Sequence, residues 1–223
     1  FDSEPGNIII PNANLNAEYA NNFEINFITK KNNLEFNTSI YYTKLINVII
    51  RSDGTFNGLD SIMYDDRLSK VQTLINSGKA YVYGFSYMIK YKINNNIELK
   101  STLSYNQSKD FSTNKSLRHS SPLFGKTLIS YSNRNLKINY YLNYNGKKDI
   151  SDFSPSELNK LYLYTIDGSP AWVTNNISFS YNINYLAKIN FSCENIFDIH
   201  YRTYSSGISA PGRNFNIGLN MSF

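Results

Sequence analysis

Few side chains in this sequence are of a type that does chemistry, and their spacing argues against it. His119 and His200 lie in different long polar segments, with no acidic residues at ligand spacing, so both read as loop surface and not as metal ligands. Asp65 and Asp66 are adjacent, and on an extended chain adjacent side chains point to opposite faces, which does not make a paired-carboxylate acid/base site. Gly78-Lys79 lacks the glycine spacing and the following Ser or Thr of a phosphate-binding loop, and a strand pattern follows it where a helix is needed. Cys193 is the single cysteine, which excludes an internal disulfide framework and a multi-cysteine zinc site. It stands beside Phe191 and Ile189 on an apolar strand face with no histidine in register, and reads as a small apolar filler. No catalytic residue, cofactor site or metal site is expected, and the chain is not read as an enzyme.

The formal net charge is +5 with a pI near 9.0, a balance that can mark a nucleic-acid or anionic-surface partner. The lysines, however, are scattered and form no basic arm or helix. Aromatic and lysine side chains interleave as in single-strand nucleic-acid platforms, but here the aromatics hold one strand face and most lysines the other. Stacking and phosphate contacts then cannot converge on one strand, so nucleic acid is not expected as a partner.

The elements that carry these residues show a clear period of two. Tyr81, Tyr83, Phe85, Tyr87, Ile89, Tyr91 and Ile93 alternate with Val82, Gly84, Ser86, Met88, Lys90 and Lys92. The same pattern runs through Phe23–Phe27, Leu34–Tyr42, Ile97–Tyr105 and Leu136–Tyr144, and more weakly through Gly125–Tyr131, Val173–Ile183 and Ala187–Cys193, with Arg213–Phe223 ending the chain. The clearer runs reach about the 9–11 residues that a tilted strand needs to cross a bilayer. No apolar run approaches the roughly 20 residues of a transmembrane helix.

Connections alternate between tight and long. Asn-rich turns are expected at Lys30–Asn33, Asn94–Asn96, Asn133–Asn135 and Asn184–Leu186, since Asn tolerates left-handed backbone. Long connections are expected at Ser52–Lys79, Gln107–Pro122, Asn145–Ala171 and Ile199–Gly212, and Pro5–Asn14 reads as the tail of another external loop. Short turns on one side and long loops on the other are the arrangement of an outer-membrane barrel. About nine strands result, an odd number, whereas bacterial single-chain barrels have an even one. The set therefore cannot close alone. The opening Phe1-Asp2-Ser3-Glu4-Pro5 has neither an initiator Met nor a signal peptide, so an upstream part is expected. Alternation also suits a soluble sandwich of two sheets. Strand length, loop asymmetry, the 19 Tyr and 14 Phe with Tyr at strand ends as an interfacial girdle, and the polarity of the second face favour the membrane.

The last strand places Phe215, Ile217, Leu219, Met221 and the terminal Phe223 on one face, an apolar end suited to recognition by barrel-assembly machinery. Just upstream stand Glu194-Asn195-Ile196-Phe197-Asp198, then Tyr201-Arg202, Ser206-Gly207-Ile208 and Pro211-Gly212-Arg213-Asn214-Phe215. In this order, before a terminal aromatic strand, they resemble the C-terminal signature of TonB-dependent outer-membrane receptors. Pro11-Asn12-Ala13-Asn14-Leu15-Asn16-Ala17-Glu18 resembles a loop-to-strand passage of that family, and Asn76-Ser77-Gly78-Lys79-Ala80 with Gly84-Phe85 resembles its mid-barrel counterpart, although Ser86 departs from an acidic residue common there. Read from the residues themselves, Asn195 and Asp198 can hydrogen-bond their own backbone as the strand leaves the bilayer. Gly207 and Gly212 permit φ values closed to other residues. Arg213 can pair with an inward carboxylate or with lipid headgroups.

The resemblance runs nearly end to end and implies an all-β fold: residues 1–223 as the C-terminal portion of a transmembrane antiparallel up-and-down β-barrel of about 22 strands, with the plug domain and earlier strands outside it. It implies the bacterial outer membrane, with outer-membrane lipid, the TonB energy-coupling system acting through the plug, and a small-molecule nutrient as partners. Long loops carry function and aromatic side chains bind chelates or sugars, so Arg118, His119, Tyr162, Tyr164 and Trp172 are the candidate ligand contacts. Without the terminal pattern of the glycan-importing branch, a siderophore or other metal chelate is the favoured ligand. The alternatives are a passive porin or small complete barrel, and a soluble carbohydrate-binding β-sandwich.

Overall fold

A computed structural model describes residues 2–4, 6–111, 114–158 and 160–222. Phe223, the last member of the expected assembly signal, lies outside the described residues. Nine strands form one meander: β1 (Tyr19–Lys31), β2 (Leu34–Ile46), β3 (Lys79–Lys92), β4 (Ile97–Asp110), β5 (Phe124–Ser132), β6 (Leu136–Asn145), β7 (Trp172–Asn182), β8 (Ala187–Glu194) and β9 (Asn214–Met221). Each pairs with its neighbour in sequence, and β1 and β9 are the two edges, so the barrel is open in these nine strands. Count and order agree with the alternation pattern.

Register keeps one face apolar across the sheet. Leu99 faces Ile129, Ile129 faces Tyr140, Tyr140 faces Ile177, Ile177 faces Cys193, and Cys193 faces Phe215. One row over, Ile97, Tyr131, Ile138, Phe179, Phe191 and Ile217 continue the stripe. Tyr140, Ile129, Phe191, Phe215 and Ile217 are exposed, and among the described residues no second sheet covers them, as expected of a barrel wall and not of a sandwich. An apolar surface of this extent is unstable against water. Hydrocarbon removes that penalty, at about 25 cal/mol for each Å² withdrawn from water. Cys193 belongs to this face but is covered by its neighbours.

The other face satisfies its polar groups sideways. Ser130 Oγ donates to Asn139 Oδ1 (2.7 Å), Asn139 Nδ2 to Ser178 Oγ (3.0 Å), Ser180 Oγ to Asn190 Oδ1 (2.8 Å), and Asn216 Nδ2 to Ser192 Oγ (3.2 Å). These links cross from β5 to β9 and hold neighbouring strands in the register that sorts the two faces.

Three of the tight turns use one device. Asn94 Oδ1 accepts from the N–H of Asn96 and Ile97, Asn133 Oδ1 from Asn135 and Leu136, and Asn184 Oδ1 from Leu186 and Ala187, all at 2.8–3.1 Å. The carboxamide substitutes for a backbone carbonyl and closes the turn. The fourth turn has Asn32 in the left-handed region at φ 50°.

The chain divides into two compact units, Phe1–Asn22 with Thr43–Val82 and Lys109–Asn114, and Phe23–Tyr42 with Tyr83–Ser108 and Lys115–Phe223. The first corrects the expected loops at Pro5–Asn14 and Ser52–Lys79. Asp2–Glu4, Asn7–Ile10, Ile49–Asp53, Ser61–Tyr64 and Arg67–Asn76 form a small five-stranded sheet, in which Asn7–Ile10 runs parallel to Lys70–Thr73. Ile8 and Val71 are fully buried at its centre. A pairing between segments some sixty residues apart leaves no local mark in the sequence. Asp65 and Asp66 form the tip of the Ser61–Asn76 hairpin with φ of 52° and 58°, so their backbone is a turn and not extended. The Pro11–Glu18 motif is a set of staples: Asn12 Nδ2 donates to Leu74 O (2.8 Å), Asn16 N–H to Asn76 Oδ1 (2.9 Å), and Asn76 Nδ2 back to Asn16 O (3.0 Å) and to Asn47 O (2.8 Å). Glu18 Oε2 accepts from Ile49 N–H at 3.0 Å.

Candidate ligand site on the long loops

Within the second unit, the connections β4–β5, β6–β7 and β8–β9 are tied together by side chains far apart in sequence. The β6–β7 connection is not the featureless loop that its composition implies. It contains a two-residue ladder, Lys148–Asp149 against Gly168–Ser169, one helical turn at Pro155–Leu158 and two 3-10 turns. Phe153 is fully buried and meets Tyr164 edge-on (ring centroids 4.6 Å) and Tyr204 at 5.6 Å. Around this aromatic nucleus, Glu157, 3% exposed, accepts hydrogen bonds from the Tyr164 hydroxyl and from Ser205 Oγ (2.6 Å). Ser205 Oγ also meets His119 Nδ1 at 2.9 Å, and Ser205 N–H donates to Tyr164 Oη at 3.2 Å. Lys148 is buried, donates to Ser120 O, and lies 4.7 Å from the Tyr204 ring centre.

Burial raises the Tyr164 phenol well above the usual tyrosine range, and the Glu157 hydrogen bond and charge add to it. Burial also raises Tyr204, with Glu157 again contributing. Lys148 is lowered, because desolvation outweighs the nearby Asp152 and Glu157 carboxylates. These are the shifts expected of a dry polar knot. Ser, His and Glu meet here, yet not in the order of a hydrolytic triad. Serine is the central group and bridges the other two, so the imidazole does not receive its proton on the way to an acid.

The five expected contacts fall into two groups. His119 and Tyr164 join the knot, Tyr164 with its hydroxyl committed to Glu157. Tyr162 lies beside it at 82% exposure, and Arg118 is exposed next to His119. Trp172 stands apart, packed on Tyr201 at 4.3 Å, with its indole N–H buried and without an acceptor among the described residues. Sequence reasoning missed Glu157, Lys148, Phe153, Tyr204 and Ser205, because a charged residue in a polar loop carries no sign of its burial. His200 Nε2 meets Ser209 Oγ at 3.1 Å, and Arg202 donates to Leu163 O (3.0 Å) and Ser209 Oγ (3.3 Å). No group of His, Cys, Asp and Glu able to hold a metal occurs among the described residues.

The terminal motif is a structural staple where β8 ends. Asn195, 2% exposed, donates to Ile199 O (2.8 Å) and Pro211 O (3.3 Å) and accepts from Ile199 N–H (2.9 Å). Its own N–H donates to Asn176 Oδ1 at 2.9 Å. Asp198 Oδ1 reaches across the loop to accept from Arg213 N–H (2.7 Å), and Arg213 Nε donates to Ile196 O (2.8 Å). This corrects two expectations. Arg213 anchors on backbone, and neither Gly207 nor Gly212 has positive φ; the left-handed residues are Asn195, Asp198 and Ser205. At Gly212 a Cβ would stand 2.5 Å from Asp198 Oδ1, so a larger residue there would push that carboxylate away from the Arg213 N–H it accepts from. Phe197 is exposed; Tyr201 supports Trp172.

The family model described as "TonB dependent receptor-like, beta-barrel" matches residues 2–196. Among curated proteins none matches this sequence. Among solved structures, the copper transporter OprC superposes with a TM-score of 0.75 at 15% identity over 95% of this chain and 32% of that one. The FrpB iron transporter of Neisseria meningitidis gives 0.71 at 17% identity over 98% and 34%, and the ferric enterobactin receptor PfeA of Pseudomonas aeruginosa 0.70 at 16% over 94% and 32%. At these identities the likeness is one of fold, and the chain spans about a third of each of those proteins.

Proposed function

Because this chain belongs to the TonB-dependent receptor-like β-barrel family, and so to the outer membrane, we propose that it forms the later strands of a receptor for a scarce nutrient, a siderophore or other metal chelate. Its energy coupling runs through a lumen-filling plug and the TonB system. The observation that carries this reading is the knot of Glu157, Ser205, His119 and Tyr164, which fixes three long loops together and holds Tyr162, Arg118 and His119 at their surface. A preorganised aromatic and cationic surface lowers the ordering penalty of ligand capture. In this reading Tyr162, Arg118 and His119 touch the ligand, while Tyr164 positions them and Trp172 supports the rim.

The test is uptake of labelled ferric chelates by cells producing the intact receptor, with and without an uncoupler of the inner-membrane proton gradient. Uptake that stops on uncoupling, and binding weakened roughly tenfold by Tyr162→Ala, is expected. Uptake that persists on uncoupling and scales with external concentration indicates a passive pore and overturns the proposal.

A further inference from the structure

Charge on β1–β4 is sorted by sign between the two faces of the sheet. Alternation puts every carboxylate of these strands on the polar face. Glu24 accepts from Ser39 Oγ (2.7 Å), Glu98 meets Lys90 (3.4 Å), Asp110 accepts from Ser77 Oγ (2.5 Å), and Glu35 lies between the outward Leu34 and Phe36. The outward face of the same strands carries no acid, yet at the long-loop rim it carries Lys44, Lys79 and Lys109. Backbone hydrogen bonds fix their places. Ser77 N–H donates to Val48 O (2.7 Å) and Lys92 N–H to Asn33 O (2.9 Å) at the two ends of the β2–β3 pair, so one register sets Lys44 opposite Tyr81. Phe111 N–H donates to Lys79 O (3.0 Å), which sets Lys109 opposite Tyr81 from the other side. Lys79 is the next outward residue beyond Tyr81, whose ring packs on the exposed Phe111 at 5.2 Å.

The level of this group is that of the lipid headgroups. Tyr81 and Tyr91 are ten residues apart on β3, and at about 3.3 Å per residue and a tilt of about 40° the strand between them climbs about 25 Å, the height of the apolar band. Tyr81 therefore marks the outer edge of the hydrocarbon, with the three lysines as the first charges at and beyond it. None of them forms an ion pair among the described residues. Acids elsewhere in this unit are engaged, Glu18 with Ile49 N–H (3.0 Å) and Asp53 with Lys70 (2.8 Å). On β5–β9 the outward positions nearest the same rim are Gly125, Tyr144, Val173, Cys193 and Phe215, and the cation just beyond them, Arg213, is held by Ile196 O. A single interfacial lysine extends into water or towards any anionic lipid. Three around two aromatic rings gather more charge than one phosphodiester neutralises.

We propose that this sector of the outer rim binds the headgroup of a lipid bearing two phosphate monoesters, a bisphosphorylated glycolipid of the outer leaflet. Lys44, Lys79 and Lys109 meet the phosphates as mobile point charges, and Tyr81 and Phe111 lie against the sugar. Lys44 and Lys109 stand two strands apart, about 10 Å, a span that their long side chains close onto one headgroup. The site goes beyond the receptor reading and does not depend on what the loops capture.

Native mass spectrometry of the intact receptor in detergent, with bisphosphorylated lipid A added, tests it. A saturable adduct is expected, weakened at least tenfold by Lys44→Gln, Lys79→Gln and Lys109→Gln together and several-fold by each alone. Lys31→Gln, which removes an outward lysine at the tight-turn rim, should leave it unchanged. Lysine acetylation of the unmutated receptor is the second readout and needs no variant: the added lipid should protect Lys44, Lys79 and Lys109 but not Lys31. Equal binding of phosphatidylglycerol, or of the same lipid stripped of its phosphates, shows ordinary interfacial lysines and overturns the inference. Displacement of the lipid by an equal concentration of inorganic phosphate overturns it in favour of a free-anion site. An adduct that survives the triple substitution, without protection of these lysines, places the lipid elsewhere and overturns it too. Chelate uptake decides the receptor reading separately in every case.

Discussion

The two rims of the sheet are built in opposite ways. At the tight-turn rim, Asn94, Asn133 and Asn184 close hairpins by bonding to backbone two and three residues on. At the long-loop rim, Ser205 bonds to Glu157 and His119, 48 and 86 residues away. One rim is exposed, local and redundant; the other is buried, long-range and concentrated on a few side chains. The difference teaches where a substitution should matter: turn residues act independently, whereas the loop knot stands or falls as a unit.

Glu157→Ala should break this contrast most severely. It leaves the Tyr164 and Ser205 hydroxyls without their acceptor in a dry site, at about 2–4 kcal/mol of local stability. Hydrogen exchange should then rise throughout residues 146–171 and 195–213 while the turns keep their protection; a change confined to residue 157 and its neighbours would show that the loops are not coupled. Asn195→Ala comes next. It removes two donated bonds and one accepted bond at a buried position, and about 2–3 kcal/mol is expected, seen as increased proteolysis between Glu194 and Arg213 in folded receptor.

The phenols sharpen the comparison through pH. Tyr164 and Tyr204 have folded-state values raised above the ordinary one of about 10. Below that pH their contribution is fully present, and it is lost as pH climbs towards the folded values, because the folded state then holds more protons than the unfolded one. Lys148 is lowered, so its effect has the opposite sign and ends near its ordinary value of about 10.4. Above that, the tyrosines alone act. Tyrosinate absorbance of the wild type minus that of Tyr164→Phe should show one phenol ionising only as the loops open; ionisation at the ordinary value would contradict its burial. The smallest effect is expected of Asn133→Ala, about 0.5 kcal/mol, with no change at the loop rim in the same exchange experiment.

This contrast also separates what could be read in the sequence from what could not. The period of two placed all nine strands and both faces, because each strand's environment repeats along its own residues. The Asn-rich turns were legible for the same reason. The small sheet was not, since the strand at Asn7–Ile10 finds its parallel partner at Lys70–Thr73 only through the fold. Nor was the role of Glu157, a carboxylate whose partners are Tyr164, further along its own loop, and Ser205 in the β8–β9 loop. Of the proposed contacts, His119 and Tyr164 are brought together, but by Ser205, a residue with no local signal.

The central claim is that lipid covers the stripe from Leu99 to Phe215. Spin labels placed singly at 176–181 on β7 of the intact receptor in bilayers test it through collision with oxygen, which partitions into lipid, and with a water-soluble nickel complex. Oxygen should dominate at Ile177, Phe179 and Tyr181, and fall at Asn176, Ser178 and Ser180. Uniform accessibility along the strand, or the reverse alternation, would contradict the account.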